Sequence, residues 1–196
     1  MSLFWWREKQ FKSVWKVKKD RQSLLLVGSA HFCPYSFEKT LTRLIQAVET
    51  VLFEGPLDPG SMARVVEYGR QGEGTPSLYE ALDPSARREI NRQLARHLNS
   101  NTSSGPYFDL LLPAVSNLLE AYTRGVRPWM AFFTVWSALL NWKYSMDVDA
   151  YRIARKLGKS IGFLETIEDQ LAALDGIPFE RFANFGTCEM DLIALQ

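Results

Sequence analysis

Cysteine is scarce in this chain. Cys33 and Cys188 are its only two, separated by most of the 196 residues, which excludes the disulfide framework of a small secreted domain and leaves both expected as free thiols. An excess of charge is also missing: 23 Lys and Arg stand against 22 Asp and Glu, for a net +1. That balance gives no overall field to recruit nucleic acid or an anionic membrane, so nucleic acid is not an expected partner. Long apolar runs are absent too. The longest, Pro128 to Trp142, lies between Arg127 and Lys143 and falls short of the roughly 20 residues of a spanning helix. It reads as a buried helix, with peripheral membrane contact through Trp129, Trp136 and Trp142 as the alternative. The first residues carry Arg7 and Lys9 where a signal peptide needs its apolar stretch, so a cytoplasmic location is expected.

What is present is a globular composition, with 46% hydrophobic, 23% charged and 13% aromatic residues, enough for one well-buried unit. Val14 to Val17, a polar turn at Lys18-Lys19-Asp20-Arg21, and Ser23 to Val27 predict an edge β-hairpin whose second strand is buried on both faces. Ser36 can cap a helix carrying Phe37, Leu41, Leu44, Ile45 and Val48 at helical spacing, and Thr50 to Phe53 follows as a strand. Strand, helix, strand predicts that Leu24–Val27 and Thr50–Phe53 lie parallel and nearly adjacent.

From Pro59 to about Tyr144 the pattern is helical. It holds a short helix over 61–69, one opened by Asp83-Pro84, a polar loop over 99–106, and two apolar helices over 107–124 and 128–143 joined at Gly125. Met146 to Leu157 predicts an amphipathic helix stopped by Gly158, Ser160 to Leu164 a strand, and Ile167 onward another helix. The expected architecture is therefore a single α/β domain over 1–196, mainly parallel in its sheet, with an N-terminal hairpin and 59–145 as a helical insertion lobe. Ala194-Leu195-Gln196 ends the chain inside an apolar stretch, as an incomplete portion of a longer fold would.

Three strands deliver an ionisable residue at their carboxyl ends: His31 after Leu24–Val27, Glu54 after Val51–Phe53, and Glu165 after Ile161–Leu164. Ligands of parallel α/β sheets bind outside those ends, so neighbouring strands would make the three converge. One imidazole and two carboxylates suit a divalent metal ion that acidifies water, with an unliganded carboxylate as general base. Singly, each residue is better explained as a helix cap or a hydrogen-bonded structural group; three together at successive strand ends favour a site, because burying them unpaired is costly. Gly28 fits either close approach to a ligand or tight packing.

Other candidates have plainer explanations. Cys33, two residues after His31, reads as a small buried hydrophobe rather than a nucleophile. His97 sits among Arg87, Arg88, Arg92 and Arg96, a solvated helical face. Trp129, Phe132, Phe133, Trp136 and Leu140 recur at helical spacing, and core packing is the default account.

The ordered series Leu24-Leu-Leu-Val-Gly28-Ser-Ala-His31, Thr50-Val-Leu-Phe-Glu54-Gly, Met146-Asp147-Val-Asp149 and Phe163-Leu-Glu165-Thr-Ile-Glu168-Asp-Gln170 resembles the TraB/PrgY/GumN family, relatives of the Tiki proteins. The resemblance covers about 24–58 and 146–178. It implies an α/β fold with a helical insertion and a metal-dependent hydrolase or peptidase activity on a peptide or small-molecule substrate. His31 matches the family's first GxxH histidine, Glu54 the acid after the next strand, and Glu165 the Leu-Glu-Thr glutamate. No second Gly-x-x-His occurs in the 196 residues. Either the rest of the site lies in a portion outside this sequence, or the chain is a non-catalytic module that sequesters a peptide or apolar ligand beneath its aromatic helices.

Overall fold

The computed structural model describes residues 11–101, 117–140 and 144–188, with side chains described up to residue 96 and from 117 up to 183 within these spans. Its described residues form a mixed α/β structure with two small sheets, one an antiparallel hairpin and one a parallel pair. They divide into two compact units: one holds the residues up to Leu57 and those from 144 to Glu165, the other 58–140 and 166–188.

In the first unit, β1 (Val14–Lys19) and β2 (Gln22–Val27) form the hairpin, followed by α1 (Glu38–Gln46) and β3 (Thr50–Phe53). A second helix and strand, here named α7 (Met146–Lys156) and β4 (Ser160–Phe163) in chain order, complete the unit. β3 and β4 run parallel with Val51 opposite Ile161 and Phe53 opposite Phe163. Each strand is fed by its helix, and α1 and α7 pack together over them. The core joins Leu41 and Ile45 of α1, Met146, Ile153 and Ala154 of α7, Phe53 of β3, and Cys33 from the loop after β2.

Local chemistry explains where α7 starts and stops. The Ser145 hydroxyl accepts from the Val148 N–H, while Asp147 and Asp149 in the first turn and Arg155 and Lys156 in the last complement the helix dipole. At the far end Gly158 takes φ +64°, its N–H donates to the Arg155 carbonyl and that of Lys159 to the Ala154 carbonyl, the Schellman pattern. The Lys159 ammonium then donates to the Gln46 and Val48 carbonyls at 3.2 and 2.7 Å. It satisfies the C-terminus of α1 and ties one helix–strand unit to the other. A Cβ at Gly162 would lie 2.8 Å from Leu52 Cδ2, the end of an exposed side chain that would have to turn aside.

Two expectations about the sheet are corrected. β2 pairs with β1 and β3 with β4, so among the described residues β2 and β3 are not parallel neighbours, and the parallel pairing extends to β3 and β4. The cause is the path of the chain after β2. Cys33 and Tyr144 exchange N–H to carbonyl bonds of 2.9 and 3.2 Å, and the Met146 N–H donates to the Ala30 carbonyl at 3.1 Å, so the loop is drawn to the start of α7. Nor is β2 buried on both faces: Leu24 and Leu26 are exposed, because among the described residues no side chain of the hairpin enters the unit's core.

The second unit is helical: α2 (Pro59–Arg70), α3 (Leu78–Ala81), α4 (Pro84–Asn101), α5 (Leu118–Thr123), α6 (Pro128–Leu139), α8 (Ile167–Asp175) and α9 (Phe179–Cys188). Asp58 caps α2 through the Gly60 and Ser61 N–H groups, and Asp83 caps α4 through Ser85 and Ala86. α4 continues to Asn101, past the start of the expected loop. Ile90 and Leu94 pack with Leu119, Val135 and Leu139, while Trp129 packs with Leu78, Ile167, Leu171 and Phe182. The remainder of that loop, the first part of the helix expected over 107–124, Trp142, the first ten residues, the chain end and the His97 side chain lie outside the described residues.

Among the described residues, nothing beyond its own chain neighbours lies within 4 Å of where a Cβ on Gly158 would sit, so Gly158→Ala introduces the backbone cost of a left-handed conformation. Urea unfolding is expected to show a loss of about 1–2 kcal/mol; an unchanged midpoint would contradict this account of the α7 terminus.

Candidate functional site

The site lies in the first unit, at the carboxyl ends of β3 and β4. The bridge to Tyr144 holds the loop after β2 against α7, and this brings His31 to the first turn of that helix. There its Nδ1 lies 2.9 Å from Asp147 Oδ2, while Nε2 lies 3.8 Å from Glu54 Oε2. Glu54 follows the last residue of β3 directly, so the strand end itself delivers its carboxylate.

Burial differs sharply across the group. The His31 and Glu54 side chains are 66% and 64% exposed, Asp147 only 16%. Asp147 Oδ2 is shut off from solvent and meets no donor of good hydrogen-bond geometry, so its 2.9 Å approach to the imidazole is a close charge pair with imperfect alignment. The neighbouring Ser29 hydroxyl also favours the charged form of the carboxylate. Burial alone would push the Asp147 carboxyl up; His31 and Ser29 outweigh it and hold the group below the usual carboxylate range. Reciprocally, the Asp147 carboxylate at Nδ1 raises His31 above its ordinary 6.5, opposed by partial burial and assisted by the charges of Asp147 and Glu54.

Of the residues expected to converge, His31 and Glu54 come together. Glu165 reaches the same rim through its backbone, its N–H donating to the Glu54 carbonyl at 2.8 Å, but its exposed carboxylate makes no described bond to either partner. Gly28 donates its N–H to the Ser13 carbonyl at 2.9 Å, and a Cβ on it would meet Ser13 Cβ at 3.2 Å, a contact that fits the tight-packing alternative. Cys33 is buried, its thiol donates to the Tyr35 carbonyl, and desolvation pushes its pKa up, which fits the structural reading.

Asp147 and Ser29 are the members that sequence reasoning did not assign. Asp147 is an acid in the first turn of a capped helix, a position already explained by the helix dipole. Only the tertiary bridge reveals its second role.

His31 Nε2 and a Glu54 oxygen stand at a separation that one ion could span, since metal–nitrogen and metal–oxygen bonds are about 2.0–2.2 Å each. A carboxylate on the far imidazole nitrogen is the usual outer partner of a metal-bound histidine. Among the described residues, however, no group of three or more His, Cys, Asp or Glu side chains is close enough together to hold an ion. The residues thus supply two donors and one outer-shell carboxylate.

The fold and this rim define a mixed α/β protein with a histidine–carboxylate pair at the ends of parallel strands. The sequence pattern of the TraB/PrgY/gumN family matches residues 13–193, nearly the whole chain, and the chain belongs to that family. No curated protein and no solved structure gives a match. Among the described residues no helix is long and apolar enough to cross a membrane.

The His31–Asp147 pair has a definite pH window. A raised imidazole pKa contributes stability that is complete below the unfolded value near 6.5 and is lost as pH rises through the folded value. The lowered Asp147 pKa contributes above its unfolded 3.8 and is lost as pH falls through the folded value. NMR titration of the chelator-treated protein should place His31 above 6.5, and Asp147→Asn should return it toward 6.5. A His31 titration indifferent to that substitution would refute the pairing.

Proposed function

We propose that this rim is the metal-binding part of a hydrolase site that cleaves an amide bond in a peptide. The observation that carries the reading is the two-sided engagement of His31, with Asp147 at Nδ1 and Glu54 facing Nε2. Asp147 holds the proton on Nδ1 and so leaves the Nε2 lone pair directed outward as a donor. Glu54 supplies the second donor. Glu165, one strand over, serves as a third ligand or as the base that accepts a proton from water. A divalent ion bound there would acidify that water and polarise the scissile carbonyl.

Apolar side chains flank the rim on the chain itself. Phe32 follows His31 and Leu164 precedes Glu165, the latter 72% exposed. Such a border favours a peptide with apolar residues beside the bond to be cut over a small charged substrate. The aromatic helix α6 offers less to the sequestering alternative, because Trp129, Val135 and Leu139 are buried core. The cavity lined by Phe132, Trp136 and Phe182 is about 20 Å³, room for one water molecule.

Elemental analysis of protein purified without chelator is the test. The native chain should retain a divalent metal that His31→Ala loses, and Asp147→Asn should weaken its affinity by about 10–100-fold. Equal metal content in the native chain and His31→Ala would overturn the proposal.

A further inference from the structure

We propose a lipid-docking surface on the β1–β2 hairpin, which takes the headgroup and upper acyl region of an anionic bilayer. The hairpin register places Trp15 opposite Leu26 and Val17 opposite Leu24, so strand alternation gathers these four side chains on one face. Each is between 47% and 57% exposed, and among the described residues neither strand contributes to the core of the unit. An apolar sheet face left open to water is costly and usually marks an interaction surface.

Charge identifies the occupant. Residues 12–27 contain Lys12, Lys16, Lys18, Lys19 and Arg21 against Asp20 alone, a local net of +4, although the whole chain carries +1. The remainder is therefore net −3, and the near-neutral total conceals a segregation of charge. The five cations have no ion-pair partner among the described residues. Asp20 adopts φ 53°, forming the tight two-residue turn that sets Lys19 and Arg21 at the tip beside the apolar face.

Lys16 and Lys18 alternate onto the opposite face of the hairpin, while Lys19 shares the apolar face and Arg21 stands at its tip. Cations at the tip of a face carrying an exposed tryptophan and aliphatic residues match the layered chemistry of a bilayer surface: anionic headgroups, an interface that favours indole, and hydrocarbon below. A second copy of this chain would leave the hairpin's local charge of +4 without a counter-charge, whereas anionic headgroups supply one. Single-stranded nucleic acid is disfavoured because Val17, Leu24 and Leu26 offer neither a stacking ring nor a hydrogen-bond donor. This proposal is independent of the chemistry assigned to His31.

The test is co-sedimentation of the full chain with vesicles of phosphatidylcholine alone and of equimolar phosphatidylcholine and phosphatidylglycerol. Binding is expected to the anionic vesicles and to fall as salt rises. Lys19→Gln combined with Arg21→Gln should lower the partition coefficient about thirtyfold, from about fivefold per basic residue. Trp15→Ser combined with Leu26→Ser should abolish binding even at low salt; if circular dichroism shows that this variant misfolds, the charge variant decides. The proposal fails if neither vesicle is bound, if neutral vesicles are bound equally, or if both variants bind like the native chain. It fails equally if the face instead mediates dimerisation or captures a single-stranded oligonucleotide.

Discussion

The backbone bridge between Cys33 and Tyr144, extended by the Ala30 to Met146 hydrogen bond, is the constraint on which the site depends. The loop after β2 has no regular structure of its own to fix His31. It gains a fixed course by borrowing hydrogen bonds from the segment that enters α7, more than a hundred residues later in the chain. Burial of the Cys33 side chain in the core reinforces the bridge, because breaking it would expose both an apolar side chain and unpaired backbone groups. A segment that would otherwise wander is thereby held with its imidazole against Asp147.

The site divides its tasks by burial. Asp147, largely withdrawn from water, is a fixed negative charge that orients His31, while His31 and Glu54 remain open to whatever approaches the rim. A carboxylate confined at a helix start pays its desolvation cost only because the imidazole and the Ser29 hydroxyl stabilise it. The same confinement keeps its charge against the imidazole rather than in water. The strand pairing continues past the last paired residues, where the hydrogen bond from Glu165 to the Glu54 carbonyl holds the two strand ends together.

Much of the local structure was legible in the residues. Asp58 before Pro59, Asp83 before Pro84, Ser145 before the α7 periodicity and Gly158 after it are all signals whose physics acts within four or five residues, and each element begins or ends as they indicate. The sheet was less legible. Leu24-Leu-Leu-Val27 is an apolar run that suits a buried central strand, yet β2 stands in an exposed hairpin. Local propensity can make a strand but cannot choose its neighbour, which depends on where the following loop is anchored. Net charge is likewise an average over the chain. A net of +1 averages a basic hairpin with an acidic remainder, and attraction to a charged surface responds to local density rather than to the total.

What the sequence by itself determined is the kind of elements, their caps, the family, and the presence of His31 and Glu54 at strand ends, because each is written in short-range patterns. What only the tertiary structure decided is which of these meet. Asp147 joined the site through a backbone bridge spanning most of the chain, Glu165 stopped at a backbone contact with Glu54, and Gly28 turned to its own hairpin. The physical reason is common to all three. Contacts between distant segments are set by the packing of α1 and α7 over β3 and β4, and no spacing along the chain encodes the direction in which a packed loop finally points its side chains.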